Sequence, residues 1–379
     1  MCWNWALVPS SSRPPVLRRL AALAVLLAAV GTDASAQLTG RARYFVRAWP
    51  PPGEASTVVD GMAIDSLGYL HLATGSGLLR FDGRRVARQT ISDFPLLESN
   101  KVSSLAAATE GVWIGTPEGR LLHVVRGHVR DSLAPFVDVT EGVSHIAILP
   151  GGDLLAASPF RVARFREGRW IELRWPAGGL APEVVRAFAV TRRGTIYAGT
   201  NRGLLRATGD AFGRVTLPGT SVRDPSVHAL AEDSRGALWV STRDGLFVET
   251  AAGDMVPVPR PPALRGVVEA SVSDDEGILW FGGDFGLVAV RVHRGTSVPW
   301  LEPVFELSEA QTDGVVRQLE SDGHGTIVAA ATPRGIRIVT RSPVRVLDVR
   351  DGLPTSIVHH VTGDGAGGLL VGASCGSIM

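Results

Sequence analysis

The residues most able to do chemistry in this sequence are its nine histidines, His71, His123, His128, His145, His228, His293, His324, His359 and His360. Imidazole titrates near neutral pH and is the commonest nitrogen ligand of metals. No two of them stand in the H-x-x-x-H or H-E-x-x-H spacing that turns two rings to one helix face for zinc. His359 and His360 are adjacent, and alternation along a strand sends adjacent side chains to opposite faces, so they should not chelate one metal. Asp274-Asp275-Glu276-Gly277 is acidic enough for calcium but lacks the alternating oxygen ligands of a calcium loop, and reads as a solvated turn. Cys2 and Cys375 are the only cysteines, too few and too far apart for a cysteine metal site. No G-x-S-x-G elbow, phosphate-binding loop or dinucleotide fingerprint occurs. The expectation is no catalytic residue, no metal and no cofactor.

What remains is recognition. Seven valines are each followed by a polar residue, of five types in all: Asp60, Ser103, Ser144, Arg186, His228, Glu269 and Arg317. A purely structural turn would tolerate one residue seven times, whereas a ligand rim needs mixed donors and acceptors. Solvated strand ends are the plainer alternative. A second set falls in loops further along each unit: Glu118, Asn201, Arg202, Arg243, Asp244, Asp284, Phe285 and Arg334. Phe160 and Phe285 could stack on a sugar face or cover a sheet edge. Trp113, Trp239 and Trp280 occupy one fixed place in the unit, which argues for packing rather than for a ligand platform.

These residues are positioned by a repeat. The large residue of its first apolar strand falls at His71, Trp113, Leu155, Tyr197, Trp239, Trp280, Val328 and Leu370, at spacings of 42, 42, 42, 42, 41, 48 and 42. About a dozen residues before each anchor a valine opens an apolar segment, and a polar turn follows. The anchor strand ends in a pair such as Gly115-Thr116 or Gly199-Thr200. A glycine (Gly77, Gly119, Gly203, Gly245, Gly286, Gly335, Gly376) then starts a third strand, where a positive φ is expected. A fourth, more variable strand closes the unit. Four short strands per repeat of about 40 residues is the signature of a propeller blade.

The expected fold is therefore all-β, a β-propeller of seven four-stranded blades, with an eighth repeat begun at the C-terminus. No segment carries uninterrupted helical periodicity, and a sandwich gives no fixed recurrence. In such a ring the loops entering each innermost strand, and those joining second to third strands, share the face at the channel mouth. Ala42–Trp49 precedes the first repeat as a lone strand, expected on the outer edge of the last blade. The expected domains are 1–36, 37–345 and 346–379. The last of these reads either as the start of a second ring or as a truncated blade.

Composition bounds the partners. The 379 residues carry 38 basic and 37 acidic side chains, a net charge of +1, which gives no footprint for nucleic acid or an anionic membrane. Arg13, Arg18 and Arg19, the apolar run Leu20–Val30 and Ala34-Ser35-Ala36 read as a cleaved export signal over residues 1–36. Eleven apolar residues span only about half a bilayer core. The mature chain is expected outside the cytoplasm, periplasmic or extracellular, without membrane contact of its own.

The pattern V-x-x-L-x-x-D-x-x-G-x-L-W-x-x-T-x-x-G-L, nearly complete from Val227 to Leu246, resembles the two-component regulator propeller repeat. Asp351-Gly352-Leu353-Pro354 resembles the D-G-L-P that often opens these repeats. The likeness covers nearly everything after residue 36 and is weakest in repeats three, seven and eight. It implies the periplasmic sensor half of a membrane-spanning receptor, with any kinase or cyclase beyond residue 379. A small-molecule or oligosaccharide ligand and a homodimer or signalling partner would follow. Two other readings stay open: an exported protein-binding scaffold, and a propeller enzyme of lactonase, lyase or quinoprotein type. The enzyme would need two or more His, Asp or Glu side chains within about 4 Å of one point in the channel.

Overall fold

In the computed structural model the described residues are 5–8, 44–49, 58–136, 141–176, 183–219, 225–295, 298–333, 335–342, 357–363 and 369–373. They divide into two compact units, Val46–Thr340 and the pairing of Met1–Phe45 with Arg341–Met379. The export-signal residues 9–36, Arg334, Cys375 and Gly376 lie outside the described residues.

The larger unit is a seven-bladed propeller of four-stranded sheets. The innermost strands are Val59–Ile64, Ser104–Ala107, His145–Ile148, Val185–Val190, Val227–Glu232, Val268–Ser273 and Gly314–Ser321, in blades 1 to 7. Each touches the next, and that of blade 7 touches that of blade 1, so the ring is closed. Blade 7 takes its outermost strand, Tyr44–Trp49, from the other end of the sequence. Trp49 packs 4.3 Å from Phe81 of blade 1, so one strand covers the seam from both sides.

The core lies between blades rather than within them. Second strands such as Leu70–Thr74, Ile196–Thr200 and Leu238–Thr242 are buried at every residue, because both faces of each sheet pack on a neighbour. Outer strands such as His128–Leu133 are largely exposed. The glycine near the end of a second strand makes room for the next blade's opening valine. A Cβ on Gly199 would lie 2.5 Å from Val227, and one on Gly282 would lie 2.4 Å from Val316. The six extra residues before the seventh anchor go into two eight-residue strands, Gly286–His293 and Trp300–Leu307, and a short helix, Glu309–Thr312.

The polar turn before the anchor is held by its aspartate. In blade 5, Oδ1 of Asp233 accepts from the amides of Arg235 and Ala237, while Oδ2 accepts from Trp239 Nε1 at 2.9 Å. Asp65 holds His71 in the same way at 2.9 Å, and Asp274 holds Trp280 at 3.0 Å. The acidic Asp274 turn is thus not simply solvated: its first carboxylate is a half-buried structural acceptor. Trp239 and Trp280 are 1% exposed and serve as packing, while half-buried Trp113 stacks 4.7 Å over His123.

Gly77, Gly119, Gly203, Gly286 and Gly335 have the expected positive φ. Gly245 does not; glycine stands there because a Cβ would meet the Phe247 ring at 2.7 Å. Gly77 carries φ +133° and its Cβ would fall 2.4 Å from the Gln89 carbonyl oxygen. Gly77→Ala is therefore expected to cost about 2 kcal/mol in urea unfolding. Gly75→Ala, with nothing within 4 Å of the added carbon, should unfold like the parent. Equal midpoints for the two variants would show that this turn imposes no glycine.

In the second unit, Val358–Gly363 pairs antiparallel with Leu369–Ala373, which also pairs with Trp5–Val8. The register shifts between Val358 and His360, so simple alternation does not describe the His359-His360 pair. Among the described residues no cluster of three His, Cys, Asp or Glu suits a metal.

Candidate functional site

In five blades the polar residue after the opening valine owes its position to a β-bulge. In blade 5 Val227 pairs with Thr242 and Ala229 with Ser241, so His228 is an extra residue with no ladder partner. The same shift isolates Asp60, Arg186, Glu269 and Arg317 in blades 1, 4, 6 and 7. A bulge bends the strand and re-aims the extra side chain. Here it turns one residue in each of these five blades out of the packed interface and towards the channel.

Six of the seven expected rim residues, Asp60, Ser144, Arg186, His228, Glu269 and Arg317, line one cavity of about 430 Å³. Ser103 does not; its hydroxyl donates to the Val143 carbonyl at 2.6 Å, and Ser104 takes the lining place. Beneath the rim sit Met62, Leu105, Ile146, Phe188, Leu230 and Leu319, with Ser271 as the polar member of that layer. A polar mouth over an apolar collar, at this volume, fits a small molecule or the end of a longer one.

The second-to-third loops do not reach this cavity. Asn201 Oδ1 accepts from the Val184 amide at 2.9 Å, and Asp284 Oδ1 accepts from the Val267 amide at 3.0 Å, each pinning the chain that enters its own blade. Phe285 packs on the core between blades 5 and 6, while Arg202, Arg243 and Asp244 are exposed. Arg260 donates to the carbonyls of Thr242 at the loop's start and of Gly245 and Gly266, a clamp with no repeat-level signal. Glu118 accepts from the Ser99 hydroxyl at 2.7 Å, and Phe160 is exposed.

Charge is concentrated on blades 4 to 7. His228 Nδ1 lies 3.8 Å from Glu269 Oε2, beyond a direct hydrogen bond. Arg317 Nη1 stands 4.0 Å from the same oxygen. His228 is the largest influence holding the Glu269 carboxyl below the usual range; burial opposes it, and Arg317 and Arg186 reinforce it. Burial pushes the Asp60 carboxyl up, with Lys101 acting the other way.

The spacing of polar residues missed His145, one step past the rim position. It lines the cavity, its Nδ1 lies 3.0 Å from Ser144 Oγ, and burial pushes its imidazole down to about 4. It is thus uncharged at neutral pH. Most other blades have Gly, Ala or Ser there, which hid the position from a search for recurring polar residues. The His228–Glu269 pair also meets the distance condition that an enzyme reading requires.

Residues 221–244 match the family described as two component regulator propeller. No curated protein matches the chain. Among solved structures, the extracellular domain of a putative hybrid two component system from B. thetaiotaomicron is similar with a TM-score of 0.63 at 18% identity. That match covers 84% of this chain and 42% of the other. A second such domain from the same organism matches at 0.58 and 16% identity, over 86% and 46% of the two chains. A virginiamycin B lyase from Staphylococcus aureus matches at 0.61 and 13% identity, over 79% of this chain and all of the lyase. At these identities the likeness is one of fold, and enzymes and receptor domains share it.

Proposed function

From a chain that carries the two component regulator propeller repeat, we propose an extracytoplasmic sensor propeller that binds its ligand at the channel mouth. The supporting observation is the rim itself. A polar side chain, of five residue types, stands at the same place in every blade, set by the same bulge in five of them, and six of the seven face a single cavity. Stability alone does not require that variety. The match of this chain to 42% of the extracellular domain of a putative hybrid two component system supports an input role.

The experiment is a thermal-shift screen of small metabolites and oligosaccharides against the wild type and an Arg186→Ala/Glu269→Ala variant. A ligand at a hundred times its Kd stabilises the folded state by about 2.7 kcal/mol, a clear rise in Tm. The double variant should lose that rise. A ligand that shifts both proteins equally would remove the channel mouth from the proposal. Export is tested separately: residues 1–36 fused to a reporter active only outside the cytoplasm should give an active reporter, and a silent one would sink the extracytoplasmic assignment.

A second reading, a propeller enzyme, is favoured by one observation, the imidazole of His228 beside the Glu269 carboxylate. A screened ligand consumed by the wild type and spared by His228→Ala would establish it in place of the sensor. Tight binding without turnover would exclude it for that ligand.

A further inference from the structure

Two buried polar atoms at the channel mouth have no hydrogen-bond partner among the described residues, Nε2 of His228 and Oγ of Ser271. Native proteins seldom leave such atoms unpaired, and the exceptions ask for a reason. The His228 side chain is 9% exposed, so its ring does not reach bulk water. Its other nitrogen faces a carboxylate at 3.8 Å. A carboxylate held ionised only accepts, so it favours the tautomer with the proton on Nδ1. In that tautomer Nε2 carries a lone pair and can only accept.

The remaining rim groups are of both kinds. The donors, Arg186 and Arg317, stand on the Glu269 side of the rim, Arg317 Nη1 at 4.0 Å from its carboxylate. Asp60 on the opposite side is an acceptor, half-buried, with Lys101 as the cation acting on it. Ser271 can do either. Besides the two arginines and Ser271, the mouth thus offers His228 Nε2 and Asp60 as acceptors.

Resting on the channel-mouth reading, we infer that this site takes a hydrogen-bond-donating ligand, a hydroxyl- or amine-bearing molecule, with His228 Nε2 and Asp60 as the receiving atoms.

The first test needs no ligand. In the full chain labelled with ¹⁵N-histidine, long-range proton–nitrogen correlation reads the tautomer of each ring, and His228→Gln identifies the signal of His228. The expected result is a protonated Nδ1 and a bare Nε2. A proton on Nε2 overturns the inference whatever the ligand proves to be.

The second test is calorimetry with sorbitol, putrescine and citrate as probes at tens of millimolar. Sorbitol or putrescine should bind, the first marking hydroxyl and the second ammonium recognition, and Asp60→Asn should weaken binding at least tenfold. Binding of citrate alone, or of none of the three, overturns the ligand class. Sorbitol or putrescine binding that neither His228→Gln nor Asp60→Asn changes would instead place the site elsewhere and count against the channel-mouth reading, with the tautomer result standing.

Discussion

Replacing Asp233 with alanine is expected to cost about 3–5 kcal/mol in urea unfolding, more than most single changes elsewhere in the ring. The side chain is 3% exposed and makes four separate contacts. Oδ1 accepts from the amides of Arg235 at 2.9 Å and Ala237 at 3.1 Å. Oδ2 accepts from Trp239 Nε1 at 2.9 Å and from the guanidinium of Arg294 in the neighbouring blade. Alanine would leave two turn amides, an indole N–H and a cation without their acceptor, and unmet buried donors cost more than the bonds were worth. Asp233→Asn should fall between, because the amide keeps one carbonyl oxygen for the turn but loses the charge opposite Arg294. Among the described residues the equivalent Asp274 has no such cation among its contacts, so Asp274→Ala should cost less. A loss of under about 1 kcal/mol for Asp233→Ala would show that the joint between blades 5 and 6 rests elsewhere.

The second large effect is a stabilisation. Two residues past the small position of each innermost strand stand Ala63, Ala106, Ala147, Ala189, Ala231 and Val272; blade 7 has Glu320. Burial pushes its carboxyl from 4.5 up to about 8, against the help of a hydrogen bond from the Ile64 backbone. The folded chain thus holds a proton that the unfolded chain releases. Stability from this group is full below pH 4.5 and is lost progressively as pH rises through about 8. Glu320→Gln should therefore match the wild type near pH 4.5 and exceed it at pH 7.5. A tenfold difference in proton affinity between the folded and unfolded chains is worth about 1.4 kcal/mol. Glu320 is only half-buried, and partial access to water lowers the total to an expected gain on the order of 2 kcal/mol. Urea midpoints at the two pH values check this, and a difference that is constant with pH would mean the carboxyl is solvated.

The architecture was legible because burial on both faces and a closed ring force one pattern to recur. Valine, glycine and anchor positions repeat because each fills the same space between blades, as Val227 does over Gly199. The rim residues were legible for the opposite reason, being polar at a fixed place and free to vary. The bulge that aims them was not, since its defining feature is a slipped register with no residue type of its own. His145 escaped because it occupies the adjoining position, where small residues prevail. Leu230 and Phe188 escaped because an apolar residue facing a cavity is spelled like one facing a core. Arg260 was unreadable too, since carbonyl clamps depend on where a loop folds back.

The strand Tyr44–Trp49 closes blade 7 against Ile336–Arg341, roughly 290 residues later in the chain. The first strand of the ring to be synthesised is therefore among the last to dock. Until the chain has been made as far as Arg341, that strand has no partner, and blade 1 has no neighbour on one side. Folding of the ring is then gated by its slowest loop closure, and refolding should be slow for a chain of such local blades. A ribosome pause or a premature stop within blade 7 would leave an open, sticky edge on an otherwise finished structure, a natural target for quality control.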